Sequence, residues 1–428
     1  MHQTPGMKPI LVACLLGVVG CAADPVDDTS CEPDEQDCGG TADTGGKADG
    51  TTAPGSTAQM NDLTMVMPLA SKQADFDAYL KATATGAKGT LLPKTPYTTQ
   101  FPDPHGGGGI GSDVGMTYGN LRVVAVRFDP CFAQIGPITD PATCDNQIWL
   151  VLQDLSFAGG GTSAIDGAVH AFYRVDRAEL TKAIREVIDL RKANGQTKTL
   201  GPLAPHPLIV KQGLAGAFAQ GLAKIILAHC GADNLIRFTH FQSANLQTVW
   251  NFSGFDIASG KATPMVVPTL PAKSTSSSFF AGFAAPIAGG FTPETTSGDD
   301  VAVLVNITNA KAAKKADAQD AFEASLRIEH PGFHSPNTID CASCHVAQSA
   351  RLLIGEDVLH LSADDPADAF VADKRFVSKT NAKATTSPRG QSFNVHMLSY
   401  KGANLLIGQR VINETANVVA YVNGTLHP

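Results

Sequence analysis

The chain has 428 residues, 43% of them hydrophobic and 17% charged, which is enough apolar material for a sizeable core and too little charge for a chain disordered throughout. Its 32 basic and 40 acidic residues leave a net charge of −8, so no basic face calls for nucleic acid as a partner.

The first segment carries one lysine, Lys8, and is followed by an apolar run over residues 10–19. Val18-Val19-Gly20-Cys21 then reads like a bacterial lipobox, which predicts a lipoprotein signal peptide over residues 1–20 and Cys21 as the lipidated residue after cleavage. The apolar run is too short to span a bilayer as a helix, so a cleaved signal is expected and not a transmembrane anchor. A plain secretory signal cut nearby is the alternative, and both export the chain. The expected location is the cell envelope, periplasm-facing or at the cell surface, with a membrane held through the lipid at Cys21.

Residues 21–58 are almost devoid of apolar side chains and predict a disordered tether, because such a stretch cannot bury enough surface to offset the entropy of ordering. Nine acids stand there against Lys47, so the tether carries nearly the whole chain's charge and the folded part is close to neutral. Cysteine usage agrees with export. Cys31 with Cys38, and Cys131 with Cys144, are close pairs suited to an oxidising compartment. The second pair brackets a loop containing Gly136-Pro137 and Asp140-Pro141 between two strand-like runs, and a Cys131–Cys144 disulfide there is expected to contribute about 2 to 3 kcal/mol. Cys230, at the end of an apolar segment, reads as a buried, inert thiol.

Residues 59–310 are expected to form one domain. Strand-like runs occur at 121–128, 147–155, 169–175, 235–241, 249–257 and 301–307. A helix is predicted from Asp176 and Glu179, which stand in capping-box spacing, through a stripe of Leu180, Ala183, Ile184, Val187 and Ile188, to a stop at Asn194-Gly195. A second, apolar on several sides, is predicted over 212–229. Strands in runs with few helices between them imply an α+β fold with a mainly antiparallel sheet. The glycines at 106–109 lack the following Gly-Lys-Ser/Thr of a phosphate loop, and neither H-E-x-x-H nor G-x-S-x-G occurs. His170, His229 and His240 read as hydrogen-bonded structural histidines. The apolar run 279–291, broken by Gly282 and Pro286, reads as a core cover or docking segment.

Residues 311–428 hold the chain's sharpest pattern, Cys341-Ala342-Ser343-Cys344-His345. On one helical turn Cys341 and Cys344 stand at i and i+3 and His345 at i+4, so the three side chains leave one face. Two thiols so spaced reach the two vinyl groups of haem while the adjacent imidazole reaches its iron, and a different gap would break that three-point fit. The stretch resembles the haem-attachment motif of c-type cytochromes. That resemblance implies one covalent haem c, with Cys341 and Cys344 as thioether sites and His345 as the proximal iron ligand. A disulfide between the two cysteines, or a zinc site from Cys341, Cys344, His330 and His334, are the competing readings.

Around the motif, a helix is predicted over 316–329, another after His345 through Ile354, and a terminal one over 413–426 with Val418, Tyr421, Val422 and Leu426 on one stripe. The unit resembles a small, mainly α-helical cytochrome c domain, departing from it in that the preceding helix lies well upstream of Cys341. By the same resemblance Met397, 52 residues after His345, is the expected sixth iron ligand, with His396, His334 and His360 as rivals. The expected function is one-electron transfer outside the cytoplasm with an unidentified redox partner protein. The alternatives are a haem enzyme or a gas or peroxide sensor with an open sixth site, or a surface binding lipoprotein in which haem is accessory or absent.

Overall fold

Runs of β-branched and aromatic residues build one sheet in which every strand pairing is antiparallel. The computed structural model describes residues 57–101, 115–130, 145–196, 200–244, 249–267, 270–275, 277–280, 312, 314–361 and 395–428. The signal segment with Cys21, nearly all of the tether, the cysteine pairs 31/38 and 131/144, the 106–109 glycines, the 301–307 run and most of the 279–291 run lie outside the described residues. Among those described, no helix is long and apolar enough to cross a membrane.

The sheet has nine strands: β1 (Thr64–Val66), β2 (Leu121–Asp129), β3 (Gln147–Ala158), β4 (Gly161–Ala164), β5 (Gly167–Arg174), β6 (Leu235–Ala244), β7 (Val249–Ala258), β8 (Lys261–Pro264) and β9 (Ser277–Phe280). Its order is β1-β2-β3-β5-β6-β7-β8, with β4 paired to β3 and β9 to β7. The β3–β4 turn is Gly159-Gly160, both at positive φ, as a tight right-twisted hairpin requires.

Helix α1 (Arg177–Ala193) starts where expected, the Asp176 carboxylate accepting a bond from the Glu179 N–H at 2.7 Å, and stops at Asn194 before Gly195, whose φ of 77° closes the end. Its buried stripe is the predicted one. The helix expected over 212–229 forms as α3 (Ala217–His229), beginning five residues late, and a short α2 (Pro207–Gln212) precedes it. Gly213 breaks them at φ 79°, a left-handed position no helix continues through, and the Asp75 carboxylate accepts from the Ala215 N–H at 3.0 Å across the break.

The C-terminal segment supplies α4 (Lys315–Glu329), α5 (Cys341–Asp357), a hairpin of β10 (Leu398–Lys401) and β11 (Asn404–Ile407), and α6 (Gln409–Tyr421), which ends in a π turn (Val422–Leu426). The terminal helix thus begins four residues before the expected 413. A fold of mixed helices and one large antiparallel sheet is α+β.

The expected boundary between 310 and 311 does not separate two cores. Residues 52–428 form one compact unit. Ala342, Val346, Ala350 and Leu353 of α5, Leu398 and Tyr400 of β10, and Val411, Ile412 and Val418 of α6 share a buried cluster with Phe241, Trp250 and Phe252 of the sheet. Polar ties reinforce it. The Gln153 side chain of β3 donates to the Tyr400 carbonyl at 2.9 Å and accepts from its N–H at 2.6 Å. Thr64 meets Thr415 at 2.8 Å between hydroxyls. The α5 face that packs inward is apolar every third or fourth residue, so it cannot be covered by its own segment alone.

Candidate functional site

Helix α5 opens at the motif because Asp340, fully buried, caps it: one carboxylate oxygen accepts from the Ser343 N–H at 3.0 Å and the other from the Ser343 hydroxyl at 2.6 Å. That cap sets the rotation of the first turn. Ala342, Ser343 and Val346 face inward and are buried, whereas Cys341, Cys344 and His345 are the partly accessible positions.

All three line one cavity of roughly 790 Å3, its open mouth included. Facing the motif is the sheet. Strand side chains alternate, so Trp149 of β3, His170 and Phe172 of β5, and Arg237 and Thr239 of β6 stand on one face, with Trp149 opposite Phe172 and His170 opposite Thr239. The other parity of β5 is buried, and there the Tyr173 hydroxyl donates to the Leu91 carbonyl at 2.7 Å. Met265, Met397, Leu398 and Val411 complete the apolar lining.

His345 is oriented by a second contact. Its Nδ1 lies 2.6 Å from the Val395 carbonyl, which can only accept, so Nδ1 carries the proton and Nε2 keeps the lone pair. Burial lowers the ring's pKa to about 4, so it is neutral near pH 7. Phe241 and Phe252 flank it at ring-centre distances of 5.2 and 5.3 Å.

Cys341 and Cys344 are free. Burial pushes their thiols up, to about 12 and about 11, so both are protonated. They are thus neither the disulfide nor a thiolate pair. The zinc alternative is not assembled either: His330 Nδ1 accepts from the Gly332 N–H at 3.0 Å, His334 Nδ1 meets the Thr338 hydroxyl at 3.2 Å, and among the described residues no three His, Cys, Asp or Glu side chains converge as metal ligands.

The structure sorts the sequence-predicted axial candidates. Met397 lines the cavity. His396 is held by Ser399 at 2.6 Å and Asp166 at 2.7 Å, and His360 is exposed beyond the end of α5. His229 is structural as expected, its two ring nitrogens 3.0 Å from Glu179 and Glu186. His240 stacks on Phe101 at 4.0 Å. Cys230 is free and fully buried, and burial pushes its thiol well up.

His170 departs from its expected structural role. It lines the cavity 6.3 Å from His345 between ring centres, and neither ring nitrogen makes a hydrogen bond within the described residues. Burial lowers its pKa to about 3. Sequence reasoning placed His170 on a strand, and the only further signal was its shared parity with Phe172.

A charged network, also absent from the sequence reading, closes one side. Glu414 of α6 accepts from Arg410 at 2.7 Å and from Arg127 of β2 at 2.5 Å, while Arg410 donates to the Ile328 carbonyl in the last turn of α4 at 2.7 Å and to the His334 carbonyl, and so pins the loop leading to Cys341. Burial pulls the Glu414 carboxyl upward, but Arg410 and Arg127 beside it hold it below the usual range. Arg127 also lies over the Trp149 ring at 4.8 Å. Arg237, paired to Asp256 at 2.7 Å, places another guanidinium on the cavity wall, suited to an anionic edge of a bound molecule.

No protein-family model, no curated protein and no solved structure matches the chain.

Proposed function

We propose that the cavity holds one covalent haem c, through Cys341, Cys344 and His345, and that the protein carries single electrons outside the cytoplasm, anchored to a membrane through lipid on Cys21. The observation that carries this reading is the joint placement of two neutral free thiols one helical turn apart and an imidazole whose Nδ1 is already tied to a carbonyl, all opening on one apolar cavity.

The residues present fit the group. Each protonated thiol can add across a vinyl double bond, sulfur taking one carbon and the proton the other, so attachment needs no oxidant. His345 offers a neutral Nε2, and the Val395 carbonyl fixes the ring's orientation and raises its basicity. Trp149, Phe172 and the methionines line the cavity and would keep water from a bound ring, and the Arg237 and Arg410 guanidiniums on the same wall would offer charge to its acidic substituents. When bound, the iron supplies one-electron chemistry, and burial and axial ligation tune its potential. The redox partner is a protein outside the cytoplasm.

The test is the chain produced with a haem-attachment system, denatured, and examined by absorbance. One haem per chain should survive denaturation, and C341S/C344S should lose it completely. Haem that washes out of the denatured wild type sinks the covalent reading. Fractionation checks the anchor: C21A should move the protein from the membrane to the soluble fraction, and a variant that stays membrane-bound places the anchor elsewhere.

A further inference from the structure

The sheet presents a half-buried imidazole to the same cavity, from a segment more than a hundred residues before the motif, and among the described residues no hydrogen bond engages its ring nitrogens. We propose that His170 is the second axial ligand, so that the iron is held between one imidazole from α5 and one from β5; this assignment rests on the haem reading above.

Distance is the first argument. Two metal–imidazole bonds of about 2 Å, with about 1 Å from each ring centre to its nitrogen, span roughly 6 Å. The His170 and His345 ring centres are 6.3 Å apart. Their planes differ by 33°, which is permitted because two rings bonded along one axis can rotate independently about it.

Partnering is the second. His396 is committed to Ser399 and Asp166, and His229 to two glutamates, whereas His170 touches Trp149, Phe172 and His345 only through ring contacts. A half-buried ring on the cavity wall with no hydrogen bond among the described residues keeps its lone pair available to a ligand.

Chain direction is the third, and it weighs against Met397. Val395 holds the Nδ1 edge of His345, which is the edge facing away from the coordinating Nε2. Met397 is two residues further along that strand entry, and its thioether packs on Gly408, where a Cβ would lie 2.5 Å from the sulfur. A second axial ligand must approach from the opposite face, and the sheet wall supplies that face.

Electron paramagnetic resonance and near-infrared magnetic circular dichroism of the oxidised wild-type holoprotein decide the ligand pair without any variant. A low-spin bis-imidazole signature is expected, and a sulfur-to-iron charge-transfer band overturns the assignment. H170A should become high-spin and, once reduced, bind carbon monoxide that the wild type excludes, and added imidazole should restore the low-spin spectrum. M397L should stay low-spin. An H170A holoprotein that remains low-spin, or loss of the sixth ligand in M397L, also overturns it. A wild-type chain lacking haem altogether defeats the underlying reading instead, and is told apart because no iron signal is then present in any variant.

Discussion

His229 and His170 are imidazoles of one molecule in opposite circumstances. His229 ends α3 with both ring nitrogens 3.0 Å from carboxylates, those of Glu179 and Glu186 on α1, so its burial is compensated within the protein. His170, half-buried on the cavity face of β5, has ring neighbours and no side-chain hydrogen bond among the described residues. The difference teaches how to separate structural polar groups from functional ones: a buried group whose partners replace the lost water explains itself, and a half-buried one left open on a cavity wall is free to meet a ligand.

The cavity's charged side is the severest place to break the comparison. Glu414 satisfies two guanidiniums, and E414A would leave Arg127 and Arg410 buried without their carboxylate. We expect a loss of about 3 to 5 kcal/mol, read as a fall in the urea midpoint at constant slope. A loss below about 1 kcal/mol would mean that solvent reaches the pair, and that this wall is less closed than its burial indicates.

The two histidines test the contrast directly. H229A removes two bonds and leaves two carboxylates facing each other, so the apoprotein should lose about 1 to 3 kcal/mol. H170A removes a ring with no hydrogen bond and should change apoprotein stability by less than about 1 kcal/mol, while abolishing the six-coordinate spectrum of the holoprotein. Equal losses in the apoproteins would erase the distinction between them.

A smaller effect follows from pH. His206 and His240 are buried away from the cavity, and desolvation lowers each to about 3. The folded state keeps both neutral while the unfolded state takes up protons below about 6.5, so their contribution is complete above that pH and is lost as pH falls toward 3. Asp62 and Asp129, which burial raises to about 6, act in the opposite sense, so the measurement is a difference between chains. The stability gap between wild type and H240F should shift against the wild type by on the order of 1 kcal/mol per pH unit between 6 and 4. A gap independent of pH would show that His240 is protonated in the folded protein.

Much of the fold was legible. The runs at 121–128, 147–155, 169–175, 235–241 and 249–257 are strands because alternation and β-branching are local properties, and α1 runs from its Asp176 cap to Gly195 because capping is local too. The helix expected over 212–229 forms but starts only at Ala217, because the chain breaks at Gly213, whose positive φ lies beside Asp75, a residue distant in sequence. The C-terminal segment read as a separate helical unit because its stripes are apolar on their own, whereas the surface they cover is the sheet.

From residue order alone came the α+β class, the strands and caps, and a motif that places two thiols and an imidazole on one helical face, since each depends on neighbours within a turn or a strand. Tertiary structure decided what that face looks upon. It joined described residues on both sides of position 310 in one core, tied His345 to Val395, and turned His170 and not Val169 toward the cavity. Strand periodicity says that neighbouring side chains part, and only the long-range packing of the sheet against α5 determines which of them meets the site.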